Sequence, residues 1–290
     1  MKVLVFGATG LLGTTLCPRL TAANHNVLKF VRDAYNPCNT KDEITRAFTN
    51  AVRQAQPDCV INLIAATNVD ECEVNMGYAA LLNCFIPQTI GELCRNNFGP
   101  HAHFIQISSD QVYDGAGPHM ESVTRPINAY ALTKLVGEYT AFHHDGCVLR
   151  TNFFGKSATP NKSSFSDWLI SGVRNGNQLN VFDDVYFSPL GIGSLCNAIV
   201  RAIEIRLTGL YNLGSVATGI SKAAFARQML RRTGLDDSLL NFVSVDDAKL
   251  VAPRPKDMRM NSSAFAKAAS FPIPTIEQEI DNEAQNYVRQ

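Results

Sequence analysis

Tyr130 and Lys134 stand four positions apart in Tyr130-Ala131-Leu132-Thr133-Lys134, within a stretch, residues 129–143, whose pattern predicts a helix. Positions i and i+4 share one helix face, so a phenol and an ammonium would act on the same small volume. A free phenol titrates at about pH 10. A neighbouring ammonium favours the phenolate and draws that value toward neutrality, which would make Tyr130 an acid–base group. Upstream, Ser108-Ser109-Asp110 closes an apolar run. A hydroxyl at that strand end would lie at the carboxyl edge of a parallel sheet, where ligands bind, and could hydrogen-bond a substrate carbonyl. Tyr-x-x-x-Lys alone is a weak signal; the serine pair gives it a partner.

A third signal lies at the amino end. Gly7-Ala8-Thr9-Gly10-Leu11-Leu12-Gly13 follows a short apolar run. The spacing is G-x-x-G-x-x-G, and its mechanics match the dinucleotide fingerprint: a tight turn, close approach of a pyrophosphate at Gly10, and tight helix–strand packing at Gly13. The following helix N-terminus supplies free N–H groups and partial positive charge for phosphates. At the end of the second strand, Arg32 and Asp33 are adjacent. An acidic residue there would bind the ribose hydroxyls of NAD, and an arginine the 2′-phosphate of NADP. Arg32 comes first after the apolar run and favours NADP(H), with NAD(H) as the alternative.

The elements that must hold these residues are readable as strand–helix alternation. Strands are expected at 2–6, 26–31, 59–65, 104–108 and 147–151, with helices at 14–23, 41–54, 76–96 and 129–143. Several strands are apolar throughout, which signals βαβ units covered on both faces. Right-handed crossovers then build an α/β fold with a Rossmann-type doubly wound parallel sheet. The alternation fades after about residue 155, where 156–166 is rich in Ser, Asn and Pro. We therefore expect an NAD(P)-binding domain over residues 1–150. Residues 151–290 are expected to form mainly a smaller α/β substrate-binding domain, with segments returning to the sheet. Helices are expected at 221–233, capped by Ser221, and at 275–289, with a proline-interrupted basic loop at 252–257.

Composition narrows the function classes. The 290 residues are 46% hydrophobic and 18% charged, with 26 basic and 26 acidic side chains, so no electrostatic footprint for nucleic acid or an anionic membrane exists. No apolar run reaches the roughly 20 residues of a membrane span, and the amino end does not read as a signal peptide. The eight cysteines are scattered without a C-x-x-C pair, so neither a disulfide framework nor a metal site is expected. A soluble, cytoplasmic protein is the expectation.

The combination resembles the extended short-chain dehydrogenase/reductase family, and within it the dTDP-4-dehydrorhamnose reductase group. The likeness rests on GATGLLG at 7–13, PDCVINLIAATNVDECE at 57–73, LLN at 81–83, SSDQVYDG at 108–115, YALTK at 130–134, LRTNFFG at 149–155 and PRP at 253–255. The first and the YALTK stretches are shared with epimerases and dehydratases. NVDECE, SSDQVY and the PRP loop are more specific to the reductases.

The resemblance implies a catalytic triad of Ser109, Tyr130 and Lys134, with Tyr130 protonating the sugar C4 oxygen and Lys134 also holding the nicotinamide ribose. Cofactor contacts would come from Gly7, Thr9, Gly10, Leu11, Leu12, Gly13 and Arg32, and from Ala65, Ala66 and Thr67. Asp110, Val112, Tyr113, Asn152 and Phe153 would face the sugar, and Arg254 the nucleotide phosphates. The implied reaction is NADPH-dependent reduction of a nucleotide-linked 4-keto-6-deoxy sugar, with a nucleotide sugar as partner and a homodimer left open. Two alternatives stand beside it: an epimerase or dehydratase with retained NAD, and a non-catalytic NADP-binding regulatory subunit. The chain departs from the group at Cys38-Asn39, beside the adenine, and at Asn152-Phe153, which replace Ser-Trp and leave the sugar open. Read as structure alone, Tyr113 and Phe153 are core aromatics and Arg254 a solvated charge. Asp70 and Glu73 read as helix-start or surface carboxylates, and Asp183-Asp184 as a turn.

Overall fold

A computed structural model describes residues 1–30, 40–98, 102–142, 146–216 and 218–288. Val31, Arg32, Asp33, Cys38 and Asn39 lie outside these, and with them the cofactor-selecting positions. The first half runs β1 (Lys2–Phe6), α1 (Leu11–Ala22), β2 (Asn26–Phe30), α2 (Lys41–Ala55), β3 (Cys59–Asn62), α3 (Val69–Val74), α4 (Met76–Ala80), α5 (Ile86–Phe98), β4 (His103–Ser109), α6 (Ala129–Phe142) and β5 (Cys147–Thr151). Then follow β6 (Phe153–Phe154), α7 (Phe165–Arg174), β7 (Leu179–Phe182), β8 (Tyr186–Phe187), β9 (Leu190–Gly191), α8 (Ile192–Glu204), β10 (Gly209–Leu213), β11 (Ile220–Ser221), α9 (Lys222–Arg232), β12 (Leu240–Val243), α10 (Ser263–Ala269) and α11 (Ile276–Val288).

Six strands form one parallel sheet in the order β2-β1-β3-β4-β5-β10. The strand period of two sorts their side chains between two cores. Val3, Val5, Ile61, Ile105 and Leu149 pack with α1 and α8 on one face. Leu4, Phe6, Val60, Phe104 and Val148 pack with α2 and α5 on the other. Strands buried on both faces must be largely apolar, which is why apolar runs mark them in the sequence. The expected return of the chain to the sheet occurs at β10, which pairs with β5 from Gly209↔Cys147 to Leu213↔Thr151. A third core gathers Leu169, Ile170, Phe187, Phe225, Leu230 and Ile280 in the second half.

Several expected boundaries move, each for a local reason. The first helix starts at Leu11 rather than residue 14, so Gly13 lies inside it. β3 stops at Asn62 rather than 65, because the Asn62 side chain accepts from the N–H of Ile64 and bends the backbone out of the sheet. The expected single helix at 76–96 is instead α4 and α5 joined by a π turn, Leu81–Phe85. Pro87 carries no N–H, so the Asn83 carbonyl lacks its i+4 donor, and a widened turn accommodates this.

At the far end, α8 begins at Gly191 without a side-chain cap of its own. Two buried carboxylates of α11 serve instead: Glu279 accepts from Gly191 N (3.0 Å) and Glu283 from Gly193 N (3.2 Å). Negative charge suits a helix N-terminus. Among the described residues, Cys17, Cys59, Cys72, Cys84, Cys94, Cys147 and Cys196 are free thiols. No helix among them is long and apolar enough to cross a membrane.

Candidate active site

A cleft of about 620 Å³ opens at the carboxyl ends of β1, β3, β4 and β5, a volume usual for small-molecule and cofactor sites. Gly7, Gly10, Leu11, Leu12 and Gly13 form one wall. Gly7 has φ +81°, a left-handed conformation open to glycine at little cost. A Cβ on Gly13 would stand 2.5 Å from the Gly7 carbonyl oxygen and 2.6 Å from that of Ala8. The turn therefore closes on itself only with glycine there, and it leaves the first N–H groups of α1 facing the cleft. Gly10 offers no side-chain cap, and no acidic residue occupies the first turn. This is the donor set and charge that a pyrophosphate requires. From the second half, Thr159 reaches across to the same turn, bonding the Thr14 hydroxyl (2.9 Å) and the Gly10 carbonyl (3.2 Å).

Ala65 and Thr67 line the floor between the glycine turn and the strand ends. Their loop is held by Asn83, whose Oδ1 accepts from Ala66 N (2.9 Å) and whose Nδ2 donates to the Ala66 carbonyl (3.2 Å) and to Thr133 Oγ1 (3.1 Å). Ala66 itself is buried and Thr9 is exposed; neither lines the cleft. Asn83 stood in the LLN stretch with no role attached. Its two-handed grip on a backbone 17 residues away leaves no local trace in a sequence.

Ser109, Asp110, Tyr130 and Lys134 converge on the opposite side, with Asn152 and Phe153 beside them. Asn128 caps α6, its Oδ1 accepting from Ala131 N (2.7 Å). One turn beyond Lys134, Glu138 accepts from Ser108 Oγ (2.5 Å) and forms a buried ion pair with Arg150 (2.6 Å). Helix α6 is thereby tied to both β4 and β5. Close approach on its other side needs Gly137, where a Cβ would lie 2.1 Å from the Asn83 carbonyl oxygen.

The electrostatics correct one expectation. Burial pushes the Tyr130 phenol up to about 12, with Asp110 and Cys72 acting in the same sense and Ser109 pulling it down. The Lys134 ammonium does not lower it: desolvation brings Lys134 itself down to about 8, opposed by Glu138, and its Nζ donates to the Ile107 carbonyl at 2.7 Å. Asp110, fully enclosed, rises to about 6 through burial, opposed by a hydrogen bond from Asn152 and by Lys222. Asn152 Nδ2 donates to Asp110 Oδ2 at 2.7 Å, and Ser109 Oγ to Asp110 Oδ1 at 3.3 Å.

Two expected substrate contacts stand in the core, and a third is not among the residues lining this cleft. Val112 and Tyr113 are completely buried, because the short helical turn after Ser109 folds them inward. The Tyr113 hydroxyl donates to Asn212 Oδ1 (2.7 Å) and accepts from Arg150 (2.6 Å), so it is a core group. Arg254 pairs with Asp70 at 2.9 Å and donates to the Ala252 carbonyl, outside the cleft lining. Asp70 and Glu73 both act at a distance: Asp70 also accepts from Ala252 N (2.9 Å), and Glu73 from Ala129 N (2.8 Å). Lys222, which the sequence did not single out, is held between the rings of Phe165 and Phe182.

Comparison with known proteins identifies the family. The family model for the RmlD substrate binding domain matches residues 1–289. A dTDP-4-dehydrorhamnose reductase of Salmonella typhimurium is 29% identical over 94% of each chain. Among solved structures, a Bacillus anthracis dTDP-4-dehydrorhamnose reductase in complex with NADP superposes with TM-score 0.88 at 22% identity, over 99% of this chain and 100% of that one. A Sulfolobus tokodaii structure described as a hypothetical dTDP-4-dehydrorhamnose reductase gives 0.81 at 27% identity, over 97% and 99%.

Proposed function

The chain belongs to the RmlD substrate binding domain family, and on that premise we propose that it reduces the C4 ketone of a nucleotide-linked 4-keto-6-deoxy sugar with NADPH, as an oxidoreductase of the short-chain dehydrogenase/reductase type. The observation that carries the reading is the meeting of the glycine turn with Ser109, Tyr130 and Lys134 in one cleft. The glycine turn fits a dinucleotide: Gly7 and Gly13 let the turn close tightly against Leu63 and its own carbonyls, and the α1 N-terminus presents donors without a competing carboxylate. When bound, the nicotinamide supplies the hydride.

The chain's own residues supply the proton and the positioning. Tyr130, with its phenol pushed up to about 12, holds its proton at neutral pH and can give it to the C4 oxygen. Ser109 stands beside the phenol and can hydrogen-bond the same oxygen. Lys134, buried and tethered to the sheet through Ile107, lies one turn away and would hold the nicotinamide ribose. Asp110 and Asn152 form the wall that would meet the sugar hydroxyls, and Arg254 the cation toward the phosphates.

The test is NADPH and NADH oxidation with dTDP-, UDP- and GDP-linked 4-keto sugars, with Tyr130→Phe alongside. Keto-sugar-dependent oxidation that falls about 10²–10⁴-fold in Tyr130→Phe, with NADPH binding retained, is the expected result. NADPH binding without turnover of any keto sugar would reject the reductase.

A further inference from the structure

The second half of the chain sends one loop back to the glycine turn, and its residues dictate its shape. In Thr159-Pro160-Asn161-Lys162 the proline ring sets the φ of the first inner corner of a type II turn, and asparagine tolerates the left-handed second corner. Asn161 has φ +58°, and the Lys162 N–H donates to the Thr159 carbonyl at 3.3 Å, so the turn closes. One carboxylate pins both ends of the surrounding loop, 157–164. Asp167 accepts from Ser157 N (3.1 Å) and Ser164 N (2.9 Å), and its other oxygen accepts from the Tyr287 hydroxyl (2.7 Å).

The tip of this loop rests on the first turn of α1. The Thr159 hydroxyl is 3.2 Å from the Gly10 carbonyl oxygen and 2.9 Å from the Thr14 hydroxyl. A β-turn keeps its two end Cα atoms within about 7 Å of each other, so Lys162 stands beside the same helix end. It lines the cleft together with Gly10, Leu11 and Gly13. Lys162 is exposed, and among the described residues its ammonium has no carboxylate partner. The other lysine lining the cleft, Lys134, is committed to the Ile107 carbonyl.

A pyrophosphate brings a negative charge on each phosphate, whereas a helix N-terminus supplies roughly half a positive charge. The first turn of α1, Leu11-Leu12-Gly13-Thr14, adds no cation of its own. We propose that Lys162 supplies it: the ammonium binds the pyrophosphate of the dinucleotide, and Thr159 is the positioning residue that holds the turn carrying it against α1. The phosphate site is then built from both halves of the chain, with backbone donors from the first and charge from the second. The inference rests on the dinucleotide reading of the glycine turn and not on the sugar chemistry. The nucleoside diphosphate of a sugar substrate presents the same chemistry as the cofactor, so the experiment measures both.

Binding of NADPH and NADH to the full chain is followed by their fluorescence at low and high salt, and binding of dTDP, UDP and GDP by calorimetry. Lys162→Met is expected to raise Kd for NADPH and NADH alike, by about ten-fold at low salt, and to flatten the salt dependence of both. Lys162→Arg should keep most of the affinity and the salt dependence. Thr159→Val should weaken both dinucleotides in the same way, and Thr159→Ser, which keeps the hydroxyl, should restore them. Because Lys162 is exposed, its variants should fold with the native Tm. Unchanged Kd and salt dependence in Lys162→Met overturn the proposal. So does a loss confined to NADPH, which assigns the ammonium to the 2′-phosphate, or one confined to the nucleoside diphosphates, which assigns it to the substrate. Failure of the native protein to turn over any keto sugar would count against the reductase alone, because these titrations need no turnover.

Discussion

The carboxylate of Glu73 accepts a hydrogen bond from the backbone N–H of Ala129 at 2.8 Å. A residue at the end of the loop and helix that follow β3 therefore caps the helix bearing Tyr130 and Lys134. Asn128 satisfies another orphan donor of the first turn, at Ala131. The two caps fix where α6 begins, and with it the height of the phenol above the sheet.

Glu73→Ala should accordingly lose roughly 1 kcal/mol of stability, the usual worth of a helix cap. It should also lower kcat several-fold with little effect on NADPH affinity. Thermal unfolding and steady-state kinetics check both. An unchanged Tm would mean that the cap is not energetically significant.

Gly137→Ala sets two effects against each other. Alanine gains about 1 kcal/mol of helix propensity over glycine. Its Cβ, however, would lie 2.1 Å from the Asn83 carbonyl oxygen, a backbone atom that cannot rotate away. Overpacking of this kind costs about 1–3 kcal/mol, so the clash should win and push α6 from the π turn. The expected outcome is a lower Tm and a loss of activity larger than the loss of stability explains, measured on folded protein well below the new Tm.

The pair Asp70–Arg254 gives a prediction about substrate binding. Arg254→Met should raise KM for the nucleotide sugar while kcat changes little, as for a group that binds ground state and transition state alike. Asp70→Asn, which loosens the guanidinium without removing it, should act in the same direction and more weakly. A kcat effect with unchanged KM in Arg254→Met would place the residue in a different role.

Glu279 predicts a pH dependence of stability. Burial pushes its carboxyl up to about 7, from about 4.3 in an unfolded chain, and burial raises Glu283 beside it in the same direction. Between these values the folded state binds more protons than the unfolded one, so stability falls as pH rises. Below about pH 4 the contribution is fully present, and above about pH 7 it is lost, by roughly 3 kcal/mol for Glu279. Glu279→Gln should therefore flatten Tm between about pH 4 and pH 7. An equally steep curve in the variant would show that Glu279 is ionised throughout.

What the sequence made legible was whatever is written in consecutive residues. Runs such as Val3–Phe6 and 147–149 had to be buried, because nothing polar interrupts them. The Tyr130–Lys134 spacing, the glycine turn and the serine pair needed only local geometry. What it hid depends on contacts across the fold. Asn83 gripping Ala66 and Glu73 capping Ala129 each join segments that no local pattern links. The phenol was misjudged for the same reason: the spacing shows that an ammonium is near, but not that Lys134 is itself desolvated and turned to the Ile107 carbonyl. Tyr113 was placed toward the sugar by likeness, whereas its hydroxyl is spent inside, on Asn212 and Arg150.

The return of the chain at β10 has a consequence for how the protein is made. β5 receives its outer neighbour only from residues 209–213, long after the catalytic helix has left the ribosome. Until then the growing chain carries a row of open backbone donors and acceptors beside an apolar face, a ready template for another chain. A fragment ending near residue 150 would keep that edge permanently. Such a piece should precipitate rather than bind nucleotide, so the catalytic half depends for its solubility on the half that is synthesised last.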